Sequence, residues 1–170
     1  MSYIADLSDY DYDLAYARRA TKAVGWLDAS HSFPRATPSP SLLDSLWRYC
    51  SISVALQRGA HSCEFCQEQQ ASNFAQRHGR KLLLGVSEFR VISRTGSIYA
   101  APTLIYHYVA VHHYQPPGEF VHALLEEPMP PSREYCALLE DLNLEWRATS
   151  SGEQVHGAES PDPNTGNRLG

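Results

Sequence analysis

The chain has 170 residues, 43% of them hydrophobic, and a formal net charge of −5 from 19 acidic and 14 basic side chains. That length and composition suit one domain with a real core and exclude disorder throughout. The basic residues are scattered, with no cluster longer than Arg77, Arg80 and Lys81, which argues against a nucleic-acid partner.

No apolar run approaches the roughly 18 residues of a membrane span. The opening "MSYIADLSDYDYDLAY" is acidic and tyrosine-rich, without the basic start and apolar stretch of a secretory signal, so the expected compartment is the reducing cytoplasm. There a disulfide framework is not expected of the four cysteines at 50, 63, 66 and 136, and a close pair points to metal or redox chemistry.

Residues 1–20 read as an irregular arm, with the Tyr/Asp repeat at 9–13 in solvent. A short strand, Ala23 to Leu27, follows and leaves through Asp28 into a turn that ends at Pro34. Ser39 and Pro40 make an N-cap and first helical position, and Leu42, Leu43, Leu46, Trp47 and Cys50 recur at helical spacing, which predicts a helix over 40–51. Ile52 and Val54 suggest a strand over 52–57, whereas "QEQQASNFAQRHGRK" is polar and reads as a loop. Two strands, 86–93 and 97–101, flank "RTGS", where Gly96 can take positive φ. Phe89 and Val91 face one way and Glu88 and Arg90 the other, the period of a half-buried strand.

After Pro102 the period becomes helical in "PTLIYHYVAVHHY", then again in "PPGEFVHALLEE" and, behind Ser132, in "SREYCALLEDLNLEW". The expected fold is a single α+β domain over 1–148, a small antiparallel sheet packed against three or four helices. Residues 149–170 form a polar tail expected to be disordered.

The chemistry lies in "RGAHSCEFCQ". Cys63 and Cys66 have the spacing at which two thiolates reach one tetrahedral zinc. His61, two residues before Cys63, shares its face if the chain enters extended, and Gly59 lets the chain turn in. Helix geometry sorts the other histidines. His112 falls within the apolar arc of Leu104, Ile105 and Tyr108, His107 lies at its edge, and His113 points away. His107 and His112 are roughly 140° apart around the helix, which favours one ligand from it over two. The rival readings are two buried thiols or a redox pair, the latter disfavoured because Glu64 between the cysteines opposes a thiolate. Cys50 and Cys136 read as small core residues. Asp28 and His31 could serve as a proton-carrying pair, but an Asx turn is the simpler reading.

Together "VGWLDASHSF", "RGAHSCEFC" and "YAAPTLIYHYVAVHHYQPPGEF" resemble a family of small bacterial proteins, a domain of unknown function, with these blocks in the same order over residues 3–126. The resemblance implies no activity. It implies that His31, His61, Cys63, Cys66, His107 and His112 sit inside the motif blocks and that His113 does not. The expectation is zinc held by Cys63, Cys66 and two of His61, His107 and His112, in a protein that acts by binding a protein or small-molecule partner. The alternative is a zinc hydrolase or lyase with an open metal position, in which Glu64, Asp28 or His31 carries the proton.

Overall fold

The computed structural model describes residues 2–11, 19–56, 59–66 and 73–149. The expected tail lies from residue 150 onward outside this set, as do positions 12 and 13 of the Tyr/Asp repeat. In chain order the elements are β1 (Thr21–Ala23), α1 (Pro40–Cys50), β2 (Ile52–Ser53), β3 (Ala55–Leu56), β4 (Phe74–Arg77), β5 (Arg80–Leu83), β6 (Ser87–Ile92), β7 (Ile98–Pro102), α2 (Ile105–His112), α3 (Gly118–Leu124), α4 (Arg133–Asp141) and β8 (Arg147–Ala148). This is the α+β class the periodicities predict.

The main sheet has the order β1-β7-β6-β3. Its centre is the predicted hairpin, β6 against β7, turned at Gly96 with φ +88°. β3 is antiparallel to β6, but β1 runs parallel to β7, so the sheet is mixed and not antiparallel. A parallel pair needs a long crossover, and the stretch between β1 and β7, which contains α1, supplies one. The first strand ends at Ala23, short of the expected Leu27, because Gly25 takes φ +80° and donates its amide to the Asp6 carboxylate at 2.9 Å. Part of the segment expected as a polar loop pairs as the β4–β5 hairpin. It closes on His78 and Gly79, both at positive φ, as tight two-residue hairpin turns require.

All four helices form where the pattern puts them. In α1, Ser39 Oγ accepts from the Leu42 amide at 3.2 Å and Pro40 opens the first turn. Leu42, Leu46, Trp47 and Cys50 are buried on one side of it. The core is aromatic: Tyr49 packs on Phe89 and, edge-on, on Tyr135, and Trp47 meets Tyr106. Among the described residues no helix is long and apolar enough to cross a membrane.

The second face of the sheet departs from expectation. Glu88 and Arg90, read as the solvent side of β6, are both 0% exposed. The N-terminal segment covers them, bridging Ile4 to Trp26 and Asp9 to Lys22. Tyr10, expected in solvent, is buried and donates its hydroxyl to the Glu88 carboxylate at 2.7 Å. Arg90 Nη1 donates to Glu88 Oε2 at 2.9 Å, and its guanidinium lies over the Tyr10 ring. The neighbours across the strands, Ala100 on β7 and Ala23 on β1, are small enough to leave room for these side chains.

Removing one member of such a pair leaves the other charge buried and uncompensated. Glu88→Gln is therefore expected to cost about 3–5 kcal/mol in urea unfolding. Adding Arg90→Met to it should recover a large part of that loss, and a Glu88→Gln cost under about 1 kcal/mol would show the pair to be dispensable.

Candidate metal centre

The cysteine loop is placed by its backbone. Gly59 turns the chain with φ +96°. The His61 amide then donates to Gly85 O at 2.7 Å, and Asn73 Nδ2 donates to His61 O at 3.1 Å. Gly85 sits at φ +74°, and a Cβ there would run into the His61 carbonyl. The Gly85 amide donates to Thr103 Oγ1 at 3.0 Å, while that hydroxyl and the Thr103 amide both donate to Ser87 O. Thr103 follows β7 directly and precedes α2. A single buried threonine thus ties the loop's docking point to the start of the helix that carries the histidines.

Four donor atoms converge there. Cys63 Sγ lies 3.2 Å from His112 Nε2, and Cys66 Sγ lies 3.2 Å from His107 Nε2 and 3.3 Å from His112 Nε2. All four ligand atoms are within 4.8 Å of one another, the one such grouping found among the described residues. A tetrahedral zinc with bonds of about 2.3 Å to sulfur and 2.0–2.1 Å to nitrogen sets sulfur and nitrogen roughly 3.6 Å apart. The three S···N contacts of 3.2–3.3 Å are slightly closer than that, so small outward movements there admit the ion. Two thiols and two imidazoles are a donor set that zinc takes in closed structural sites. The cluster fits a bound metal ion.

Both α2 histidines contribute, where helix spacing favoured one. Imidazole reach accounts for the difference: the rings lean across the helix surface until their centroids are 5.1 Å apart, with Cys66 facing both. α2 ends at His112, and His113 takes φ +58° and is exposed, in agreement with its outward assignment. His61 is not among the four that converge; its amide and carbonyl dock the loop on Gly85 and Asn73.

The surroundings are apolar. Phe65, between the two cysteines, packs against Phe33, Tyr108 and the His112 ring. Burial pushes the Cys63 thiol up to about 11, opposed by the Phe65 and Cys66 amides that hydrogen-bond its sulfur. Such N–H···S bonds stabilise a thiolate once a cation is present. Burial also lowers the pKa of His107, with His112 adding to the effect, and of His112, with Arg35 and His113 adding. Neutral imidazoles are the form that binds a metal.

Asp28, His31 and Glu64 form one patch beside the loop. Asp28 Oδ1 accepts from the Ser30 and His31 amides and, at 2.7 Å, from His31 Nδ1. This is the Asx turn, and the His31 contact is the main reason the Asp28 carboxyl is held below its ordinary range. The His31 ring stacks on Tyr3, and Glu64 Oε2 accepts from the Ala29 amide at 3.2 Å. These contacts staple the Asp28 turn to the cysteine loop. Sequence reasoning missed Thr103 and Gly85, whose residue types carry no signal of their own.

No curated protein and no solved structure matches the chain. A family described as a domain of unknown function, DUF7919, matches residues 2–125. That span contains all four converging donors and stops before α4. The chain belongs to the DUF7919 family.

Proposed function

We propose that Cys63, Cys66, His107 and His112 hold one zinc ion in a structural site, and that the protein is a cytoplasmic binding module whose partner is a protein or small molecule. The observation that carries this reading is the convergence of four protein donors from two distant segments within 4.8 Å. A closed set of four leaves no position for a metal-bound water, which separates structural zinc from hydrolytic zinc. When bound, the ion supplies a cross-link between loop and helix. The protein's own residues do the rest: Phe65 excludes water, the Phe65 and Cys66 amides stabilise a thiolate, and Gly85 and Thr103 hold the two segments in register. The hydrolase alternative would rest on Glu64, Asp28 or His31. The hydrogen bonds these residues make within and onto the Asp28 turn are accounted for by holding the loop.

Elemental analysis of protein purified without added metal is expected to show about one zinc per chain, with X-ray absorption fitting two sulfur and two nitrogen neighbours. A fully stable, metal-free chain would remove the proposal, and a solvent oxygen in the first coordination sphere would favour the hydrolase. Cys63→Ser should lose the metal and on the order of 3 kcal/mol of stability, a fall in Tm of roughly 6–12 °C. Cys136→Ser, in α4, should keep its zinc.

Gly85→Ala probes the docking point independently of the donors. It is expected to lower stability by about 1–3 kcal/mol, since alanine at this φ is strained and crowds the His61 carbonyl, and to speed zinc transfer to a chelator. Unchanged chelation kinetics would show that loop docking does not support the site.

A further inference from the structure

A second concavity shares no residue with the metal cluster. It is a cavity of about 500 Å³ where the β6–β7 turn meets α4, within the size range of small-molecule sites. Its apolar surface comes from Ile92 and Ile98, a cross-strand pair, and from Leu138 and Leu142. Three charged residues line it as well: Arg19, Arg94 and Asp141. Arg94 uses its Nε on the Glu127 carbonyl at 3.3 Å. Neither arginine forms an ion pair with a described residue, and both are exposed.

A buried guanidinium lies on the same sheet face but outside the cavity lining. Side chains two apart on a strand share a face, so Ile92 and Ile98 continue the face that carries Arg90 and Ala100, the next cross-strand pair but one. Arg90 is fully buried, and its Nε and Nη2 have no hydrogen-bond partner among the described residues. In a planar guanidinium those two N–H groups form the edge opposite Nη1. Nη1 is the atom on Glu88, so the unused edge turns away from that carboxylate. The chain as a whole is at −5, so any preference for an anion at this cavity is local.

We propose that this cavity binds a small amphiphile with a single negative charge: an apolar body on Ile92, Ile98, Leu138 and Leu142, and a carboxylate held by Arg19 and Arg94. Asp141 in the same lining opposes a second negative charge, which selects a carboxylate over a phosphate.

The test uses the full-length chain as purified, with labelled methyl groups, titrated by NMR at neutral pH with octanoate, octylammonium and octanol. Octanoate is expected to shift the methyls of Ile92, Ile98, Leu138 and Leu142 saturably, and octylammonium and octanol to bind at least about tenfold more weakly. The double variant Arg19→Gln/Arg94→Gln, checked for an unchanged methyl spectrum before titration, should lose about tenfold or more in octanoate affinity. Asp141→Asn should gain several-fold. Absence of octanoate shifts at those methyls, equal binding of octylammonium or octanol, or an unaltered affinity in the double variant would each overturn the proposal. None of these outcomes depends on the zinc assignment, which is read from metal content.

Discussion

The buried hydroxyl of Thr103 is the contact on which the rest of the site depends. It accepts from the Gly85 amide and donates to Ser87 O, at the point where β7 hands the chain to α2. Gly85 in turn accepts the His61 amide, which brings in the cysteine loop. Loop and helix are remote in sequence, Cys63 and His112 being 49 positions apart. They reach one another because both are referenced to the same pair of residues. Thr103 is 0% exposed, so its hydrogen bonds face no competition from water. The Cys50 thiol adds a contact to the Thr103 carbonyl, linking α1 to the same point.

A site assembled in this way has a clear division of labour. Hydrogen bonds set where the loop lies, aromatic packing around Phe65 sets how it is covered, and a metal ion at the four donors would lock what is already close. That order matters energetically: a loop already docked gives up little further conformational freedom when it binds an ion. The short strands β2 and β3 could not hold the loop alone, each being two residues long.

The sheet shows a different economy. With helices on one face, the other would ordinarily be left to water, and a strand carrying Glu88 and Arg90 is patterned for that. Instead the N-terminal segment crosses it, and Glu88 is paired with Arg90 Nη1 and Tyr10, while Arg90 Nε and Nη2 stay without a partner among the described residues. Asp6 secures the crossing, accepting from the Gly25 amide and from the Tyr114 hydroxyl that follows α2. The N-terminal segment therefore joins the sheet's second face to the helix that carries the histidines.

Local signals in the chain determined a good deal. Ser39-Pro40 and Ser132 set helix starts, Gly96 set the hairpin turn, and the Cys63/Cys66 spacing marked the candidate metal loop, because caps, turns and chelating spacings act over a few residues. The class, α+β, followed from them. Tertiary structure decided what depends on distant partners. Whether Glu88 and Arg90 face water depends on a segment about eighty residues earlier, as the Tyr10–Glu88 bond shows. Parallel pairing of β1 depends on a crossover, and the β4–β5 hairpin on a turn within a polar stretch. Which histidines meet the cysteines depends on where Gly85 and Thr103 dock the loop, and no spacing rule along the chain encodes that contact.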